Sequence, residues 1–392
     1  LTRIPAETVF DYLSVGIGDE FDEALGQQLV KELFKTGFFQ DIELRHDEGK
    51  LVIALIEYPT ISKIRVLGNR NLADEVEDQI LNEAELVEGK LFSEYSKNAA
   101  INRIRKHYVS EGRYSSEIIA ATTPLSMNRV GVDIEIDEGP VARVKNLRFI
   151  GNMTFDGKTL REESLFDGNL LSNLLLGRNK FSEQKLAADL ENISNFYQDQ
   201  GFFEFAIRSK DVVMSDDKID VELSITVSEG RRYRFGSVAV DIVDVLPEKD
   251  IRRLVTVAEG NLFSRSEVIE SRISIEEELA DAGFAFAVVN PVPTVDRQTS
   301  TVSFAFVIDL GRKTYVRRIN IGGNTTTQDI VIRRELRQME GASYSREKIR
   351  RSQERIQRLG LFDEVSVQVD PVPDSIDEVD LNFDVIERKT GN

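Results

Sequence analysis

"KTGFFQD" at residues 35–41 is the first of five related stretches in this chain. The other four are "SEGRYSS" (110–116), "DQGFFEF" (199–205), "DAGFAFA" (281–287) and "RLGLFDE" (358–364). In each stretch an aromatic residue follows a glycine by one or two positions, and successive glycines are 75 to 89 residues apart. Self-similarity at such an interval is typical of a chain built from repeated structural units.

The residues before each glycine predict a helix that ends there. An apolar residue stands four positions ahead of every glycine, at Leu33, Tyr108, Tyr197, Leu279 and Ile356. This spacing is that of the buried face of a helix, and glycine readily adopts the left-handed conformation that ends one. Further upstream, an aromatic residue followed by Ser or Asp marks the start of the helix, at Phe21, Phe92, Phe181, Phe263 and Tyr344. From aromatic to glycine the distance is 20 residues in the three middle copies and 16 in the first and last, which we interpret as a difference in helix length.

After each glycine the apolar period changes from four to two, as it does in half-buried strands. Each repeat therefore reads strand, helix, helix, strand, strand. The right-handed crossover rule makes the first and third strands parallel, and a hairpin joins the second and third. The predicted fold is α+β: five tandem β-α-α-β-β repeats, each a three-stranded mixed sheet with two helices on one face, arranged as an extended rod. The predicted boundaries are 1–59 (repeat 1, lacking its first strand), 60–140, 141–231, 232–312 and 313–392 (repeats 2 to 5).

The aromatic rings that follow the glycines are predicted to fill the small core of their own repeat and so to anchor the second strand. That strand forms an open edge of each sheet. Exposed strand edges are usually protected in natural proteins, so five open edges indicate that these edges have a function. The function that we predict for them is β-augmentation, in which an extended peptide adds a strand through main-chain hydrogen bonds.

Composition excludes several classes of function. The 392 residues carry a net charge of −18, which argues against nucleic acid as a partner. No cysteine and only two histidines leave no basis for a thiolate or histidine-based metal or catalytic site, and we predict no cofactor. The turns "GNRN" (68–71), "GNMT" (151–154) and "GGNTTT" (322–327) lack the lysine of a phosphate loop and are interpreted as helix caps. No apolar run is long enough to cross a bilayer, and the abrupt start at Leu1 is interpreted as that of a mature or trimmed chain.

Charge is distributed unevenly. Between Arg312 and Arg358 thirteen Lys/Arg stand against five Asp/Glu, a local balance of +8. Two interpretations are open: a solvated helix face, or a surface in repeat 5 that docks against an anionic membrane or an acidic partner.

The repeat and its recurring phrases resemble the polypeptide-transport-associated (POTRA) domain. Five copies in tandem resemble the periplasmic part of the central subunits of the bacterial outer-membrane β-barrel assembly machinery. The most specific stretch is "RRELRQMEGA" (333–342), and the insertion from Asn169 to Ser182 also fits the family. The resemblance covers essentially the whole chain.

The resemblance implies a non-enzymatic scaffold on the periplasmic face of the outer membrane. The scaffold receives unfolded outer-membrane proteins and docks accessory lipoproteins, and its family carries a C-terminal transmembrane barrel. A propeller-shaped lipoprotein would pair with the edge strand of repeat 3 at Val212, Val213 and Met214. A helical-repeat lipoprotein would bind repeat 5 at Arg333 and Glu340. Alternatives are a POTRA-bearing transporter of the two-partner secretion or translocation-assembly type, and a cell-envelope enzyme.

Overall fold

The computed structural model describes residues 3–16, 18–47, 49–166, 179–241, 244–373 and 375–388, without the side chain of Asp47. Repeat 1 contains α1 (Ala6–Asp11), α2 (Glu23–Lys35), β1 (Phe39–Asp47) and β2 (Lys50–Glu57), and its two strands pair antiparallel. Within the described part of repeat 1 no strand precedes α1. Most of the insertion Asn169–Ser182 lies outside the described residues.

Repeat 2 has the complete set of elements. They are β3 (Thr60–Leu67), α3 (Asp74–Glu83), α4 (Glu94–Ser110), β4 (Glu117–Leu125) and β5 (Arg129–Asp137). The sheet order is β3-β5-β4, with β3 parallel and β4 antiparallel to the central β5. The first and third strands are therefore parallel neighbours, and the second strand lies at an edge, as predicted.

Repeats 3 to 5 follow the same order. Repeat 3 has β6 (Arg143–Ile150), α5 (Gly157–Glu163), α6 (Glu183–Asp199), β7 (Ala206–Met214) and β8 (Asp220–Ser228). Repeat 4 has β9 (Arg234–Val240), α7 (Glu248–Leu254), α8 (Arg265–Asp281), β10 (Val288–Asp296) and β11 (Thr301–Asp309). Repeat 5 has β12 (Tyr315–Gly322), α9 (Asp329–Arg333), α10 (Arg346–Gln357), β13 (Phe362–Pro371) and β14 (Glu378–Glu387). Their sheet orders β6-β8-β7, β10-β11-β9 and β12-β14-β13 confirm the α+β repeat.

The core of repeat 2 lies between its central strand and its second helix. Alternate residues of β5 are buried at Val132 and Ile134, and they share one apolar cluster with Ile104 and Tyr108 of α4. Burial of such a side chain contributes about 1.5–3 kcal/mol. The recurring glycines end the helices as predicted: Gly37, Gly112, Gly201, Gly283 and Gly360 all have positive φ, between 71° and 105°.

The aromatic rings behind the glycines do not all fill the core of their own repeat, and that prediction was wrong for two of the middle copies. Tyr114 of repeat 2 packs on Phe181 of repeat 3, with ring centroids 5.8 Å apart. Phe203 of repeat 3 packs on Phe263 and Tyr233 in the core of repeat 4, at 5.1 and 6.1 Å. These rings join successive repeats.

The two spacings from aromatic to glycine have a physical explanation. In the middle repeats the second helix has 17 residues, and the second strand begins five residues after the glycine. In repeats 1 and 5 the helix has 13 and 12 residues, and the strand begins two residues after the glycine. The extra helical turn and the short segment behind the glycine form the part of each middle repeat that contacts the next one.

Carboxylates from the ends of third strands hold the turns that follow first strands. Glu229 accepts hydrogen bonds from the backbone N–H of Met153 and Thr154, at 2.9 and 3.0 Å. Glu138 accepts from the N–H of Asn71 at 2.7 Å, and Glu387 from that of Thr327 at 2.6 Å. The "GN" turns therefore bind a carboxylate of their own repeat through their backbone N–H groups.

Candidate interaction surfaces

The edge strand β7 carries the first predicted site. Val212 and Val213 are 38% and 63% exposed, and Met214 at the end of the strand is half-buried. Strand β7 lies at the edge of its sheet, so its outward backbone groups face away from the neighbouring strand β8. The structure thus brings the three residues together at the exposed end of an edge strand.

Strand β7 differs from all the other second strands in burial and from three of the four in having no proline. Each of β1, β4, β10 and β13 has at least one buried residue, whereas no residue of β7 is buried in the described structure. Prolines occur in β4 (Pro124), β10 (Pro291 and Pro293) and β13 (Pro371), but β7 has none. Proline supplies no N–H and so weakens an edge as a template for another strand. The second strands therefore lie at sheet edges but differ as templates for an added strand, and the prolines in the sequence were the signal of this difference.

The opposite edge of each complete sheet is partly covered. In repeat 4, Phe235 of β9 donates its N–H to the carbonyl of Asn261 and accepts from Gly260, both at 2.8 Å. Isolated bridges at Thr60–Leu91, Arg143–Lys180, Arg234–Leu262 and Tyr315–Ser343 repeat this pattern. The aromatic phrase before the second helix, interpreted above only as a helix start, therefore also pairs with the first strand. Second strands remain the more accessible edges.

The second predicted site lies on the outer edge of β12. Glu340 accepts the backbone N–H of Ile319 at 2.8 Å, and Arg333 donates to the carbonyl of the same residue at 3.1 Å. The Arg333 Nη1 and Glu340 Oε1 atoms are 3.8 Å apart, and the side chains are 40% and 50% exposed. Both predicted residues therefore meet at one backbone position. They also satisfy polar groups of the strand edge, which sequence reasoning did not foresee.

Two exposed apolar residues lie close to this pair in the chain. Ile330 on α9 is 64% exposed and Met339, next to Glu340, is 60% exposed. Met and Arg are enriched in protein interfaces relative to the rest of the surface. Neither Ile330 nor Met339 was singled out from the sequence, because an apolar residue is most simply assigned to the core.

Neither histidine lies in a metal site. His46 stacks on Phe21 with ring centroids 5.5 Å apart, and His107 contacts the edge of Tyr108 at 5.7 Å. Across the described ranges, no group of three or more His, Asp or Glu side chains could hold a metal ion. Nor does any described helix combine the length and the apolar character that a membrane crossing requires.

Comparison with known proteins identifies the family. The POTRA family, described as "Surface antigen variable number repeat", matches residues 59–139, 142–230, 233–311 and 314–388. The outer membrane protein assembly factor BamA of Neisseria meningitidis serogroup B is 36% identical over 394 residues, covering 100% of this chain and 49% of that protein. BamA of Buchnera aphidicola is 28% identical and covers 96% of this chain and 61% of that protein.

A solved structure supports the same assignment. The crystal structure of POTRA domains 3–5 of BamA from Haemophilus influenzae has 29% sequence identity and a TM-score of 0.55, covering 63% of this chain and 97% of that one. The chain spans about half the length of the curated relatives that it matches. The likeness corresponds to the periplasmic POTRA region of the outer membrane assembly machinery. The chain therefore belongs to the POTRA repeat family and is similar along its whole length to the BamA assembly factors.

Proposed function

We propose that the chain is a non-enzymatic scaffold for outer membrane protein assembly, which receives unfolded outer-membrane β-barrel proteins and docks accessory lipoproteins. The observation that carries this proposal is a proline-free edge strand, β7, in a chain of POTRA repeats that resembles assembly factors throughout. The division into five repeats at residues 59/60, 140/141, 231/232 and 312/313 belongs to the same proposal.

Strand addition at β7 would work through the backbone. An incoming extended segment finds outward N–H and C=O groups between Ala206 and Met214, with Val212 and Val213 as its apolar side-chain contacts. Main-chain hydrogen bonds give affinity that depends little on the sequence of the added strand. This property suits both a propeller-shaped lipoprotein with a free strand and a variety of unfolded clients.

The test separates backbone from side chain. Proline at 212 and at 213 alternately removes an outward and an inward N–H, because neighbouring strand residues point in opposite directions. We expect one of Val212→Pro and Val213→Pro to abolish crosslinking to an unfolded β-barrel segment or to the propeller lipoprotein while the fold is retained. Val213→Thr, which keeps the N–H and the strand preference, should bind nearly as wild type. Full binding by both proline variants would contradict strand addition at β7.

A test of lipoprotein docking at Arg333 and Glu340 needs a substitution that leaves the hydrogen bonds at the edge of β12 intact. Glu340→Gln keeps an oxygen to accept the Ile319 N–H and removes the charge. Glu88 is a matched control, since it accepts from the N–H of Ile64 at 3.3 Å in the equivalent place of repeat 2. We expect Glu340→Gln, but not Glu88→Gln, to weaken capture of the lipoprotein. Equal capture by both variants would exclude the charge of Glu340 from the interface.

A further inference from the structure

A cationic pocket on repeat 5 has no role in the functions proposed above. Its volume is about 470 Å³, and it is lined by Arg337, Lys348, Arg351, Glu354, Arg355 and Arg358. Positions 348, 351, 355 and 358 follow helical spacing, so they form one face of α10 and its C-terminal cap, beside the buried face of Ile349, Ser352 and Ile356. We call this set the α10 pocket.

Arg337 is brought to the pocket by its backbone. Its N–H donates to the hydroxyl of Ser352, which is completely buried on α10, at 2.8 Å. Its guanidinium donates to the Leu336 carbonyl at 3.1 Å, and no carboxylate within the described residues forms an ion pair with it. The loop after α9 is thus fixed to α10 with one arginine facing the cationic row.

The carboxylates around the pocket do not neutralise all of its cations. Glu335 pairs with Arg355 at 2.6 Å, and Glu347 pairs with Arg351. Glu354 lies 3.6 Å from Arg358 but is also shared with Arg350. Lys348, like Arg337, forms no ion pair with any described carboxylate. The Nε atom of Arg355 is buried without a hydrogen bond acceptor. Five cations therefore line the pocket against one carboxylate, in a chain whose net charge is −18.

We propose that the α10 pocket binds a phosphate group. Guanidinium groups match the oxygens of phosphate in pairs, and such charge-assisted hydrogen bonds are about twice as strong as neutral ones. A bound dianion would also supply a counter-charge to Arg337 and Lys348 and an acceptor to the buried Nε atom of Arg355. The phosphate could come from a lipid headgroup or from free phosphate, and both present the same oxygens to the pocket.

The experiment uses the full chain in about 0.15 M salt, where weak surface attraction is largely screened. Inorganic phosphate is titrated by calorimetry, and flotation with phosphatidylglycerol vesicles is measured against phosphatidylcholine vesicles. The test variant is Lys348→Gln with Arg351→Gln, which leaves Arg333 and Glu340 intact. The matched control is Lys249→Gln with Arg252→Gln, two cations lining a surface pocket on α7.

We expect saturable binding of at least one probe, weakened about tenfold or more in the test variant and less than about twofold in the control, in keeping with the loss of charge-assisted hydrogen bonds. Vesicle binding that inorganic phosphate displaces assigns the site to a lipid headgroup, and binding of inorganic phosphate alone assigns it to the free anion. No saturable binding of either probe, or equal weakening in both variants, would overturn the proposal.

A second inference concerns the joint between repeats 1 and 2. At the three later joints, the glycine that ends the second helix accepts a hydrogen bond from the residue just ahead of the next first strand. Gly112 accepts from Ala142 at 2.8 Å, Gly201 from Tyr233 at 2.7 Å and Gly283 from Thr314 at 2.7 Å. At the last two joints an aspartate also caps the next second helix: Asp199 accepts from Ser266 N–H at 2.8 Å, and Asp281 from Glu347 N–H at 2.6 Å.

The first joint has neither contact. Residue 59 takes the place of Ala142, Tyr233 and Thr314, because its carbonyl accepts the N–H of Phe92 as theirs accept those of Phe181, Phe263 and Tyr344. Residue 59 is proline, which has no N–H to donate. Helix α2 lacks the extra turn of the middle repeats, and Phe39 packs in the core of repeat 1. The linker is held by the Tyr58 N–H to Phe38 carbonyl bond, at 2.9 Å, and by bonds from the Asn128 amide to the carbonyls of Glu57 and Tyr58. The Arg3 guanidinium adds a bond to the Thr60 hydroxyl.

We infer that repeat 1 turns relative to repeat 2 more freely than repeat 3 turns relative to repeat 4. The chain contains no cysteine, so spin labels can be placed singly on exposed helix positions. The pair Lys31→Cys and Lys106→Cys spans the first joint, and Glu191→Cys with Glu270→Cys spans the third. Pulsed electron paramagnetic resonance should give an interspin distance distribution about twofold broader across the first joint, as expected for a linker with few contacts. Equal widths, or a broader third joint, would overturn the inference.

Removal of the aspartate cap supplies an independent check. Asp199→Ala should broaden the distribution across the third joint, because it breaks the bonds to Ser264 and Ser266. A width that this substitution leaves unchanged would show that these contacts do not constrain the joint.

Discussion

The carboxylate of Glu229 is almost fully buried, yet it is the acceptor for a set of donors from two elements. Besides the N–H groups of Met153 and Thr154, it accepts the Thr154 hydroxyl at 2.7 Å and the Tyr197 hydroxyl at 2.9 Å. Burial by itself would raise the pKa of Glu229, but the hydrogen bonds from Thr154, Tyr197 and Met153 outweigh it and hold the pKa below its usual value. One charged oxygen pair thus fixes the turn after β6 and the helix α6.

This environment predicts a pH dependence of stability. Because the pKa of Glu229 is lowered on folding, its contribution to the free energy of unfolding is present above the ordinary value near 4.5 and is lost as the pH falls from there towards the folded pKa. Glu229→Gln should lower the free energy of unfolding by about 1–3 kcal/mol at pH 7, because the amide N–H groups then face other hydrogen bond donors. Thermal melts between pH 3 and 7 should show a smaller loss on acidification for Glu229→Gln than for wild type. Glu191→Gln, on the exposed face of α6, is the control, and identical pH profiles for all three proteins would contradict the prediction.

Glycine at the end of a first strand is required for two separate reasons, and repeat 2 allows them to be distinguished. Gly68 has φ +89°, and a Cβ there would lie 2.0 Å from the carbonyl oxygen of Ile136. Gly89 has nearly the same φ, +84°, but open space around the Cβ position. Gly89→Ala should cost about 1–2 kcal/mol through backbone strain alone. Gly68→Ala should cost about 1–3 kcal/mol more, because the strand ends must separate. Equal losses in denaturant unfolding would show that the close approach contributes nothing.

At the scale of elements, neighbouring rings of one phrase serve different repeats. Phe202 is 4% exposed and contacts Tyr197 and Phe155 within repeat 3. Phe203 is half-buried and contacts Phe263 and Phe304 of repeat 4. A step of one residue along the chain therefore crosses from one core to the next, and the repeats are joined by packing as well as by hydrogen bonds.

Alanine substitution of the two rings should separate these roles. Phe202→Ala should destabilise repeat 3 by about 3 kcal/mol, the lower end for a buried Phe, and Phe203→Ala should destabilise repeat 4 by somewhat less. Hydrogen exchange is the measurement: protection should fall in α6 for Phe202→Ala and in β9 and β11 for Phe203→Ala. Loss of protection confined to repeat 3 in both variants would contradict the assignment of Phe203 to the core of repeat 4.

At the scale of the whole molecule, the repeats differ in the size of their cores. Among the residues that the structure describes, the apolar cluster of repeat 1 contains four buried residues, Val9, Leu33, Phe39 and Ile42, whereas that of repeat 2 contains fourteen. A two-stranded sheet with a small core is marginal by itself. Repeat 1 also lacks the glycine–strand bond and the aspartate cap that would tie it to its neighbour.

Repeat 1 should therefore unfold first, in a transition of its own. Calorimetry should give a measured enthalpy larger than the van't Hoff enthalpy, as expected when a chain does not unfold in one step. Hydrogen exchange during heating should show loss of protection in α2 and β1 before α4 and β5. A single transition in which both regions lose protection together would contradict this prediction.

The sequence by itself determined the kinds of element, their order and the topology of each repeat. Apolar residues recur every four positions before Gly112 and every two along β5, and both are local patterns. The handedness of the crossover is a general rule. Strand order and the helix ends followed from these, whereas the family was indicated by a resemblance, most specifically at residues 333–342. The predicted residues Val212, Val213, Met214, Arg333 and Glu340 were placed by resemblance, and their roles as partner-binding residues stay proposals.

Only the tertiary structure decided where the rings, the carboxylates and the cations meet. Phe203 and Phe304 are about a hundred positions apart, a separation that no local sequence pattern spans. Their contact arises because one repeat packs against the next. Glu229 finds Thr154, and Glu340 finds Ile319, across a sheet edge that exists only once the strands have paired. Periodicity records which face of an element is buried, but not which neighbour buries it, because that choice depends on contacts between distant parts of the chain.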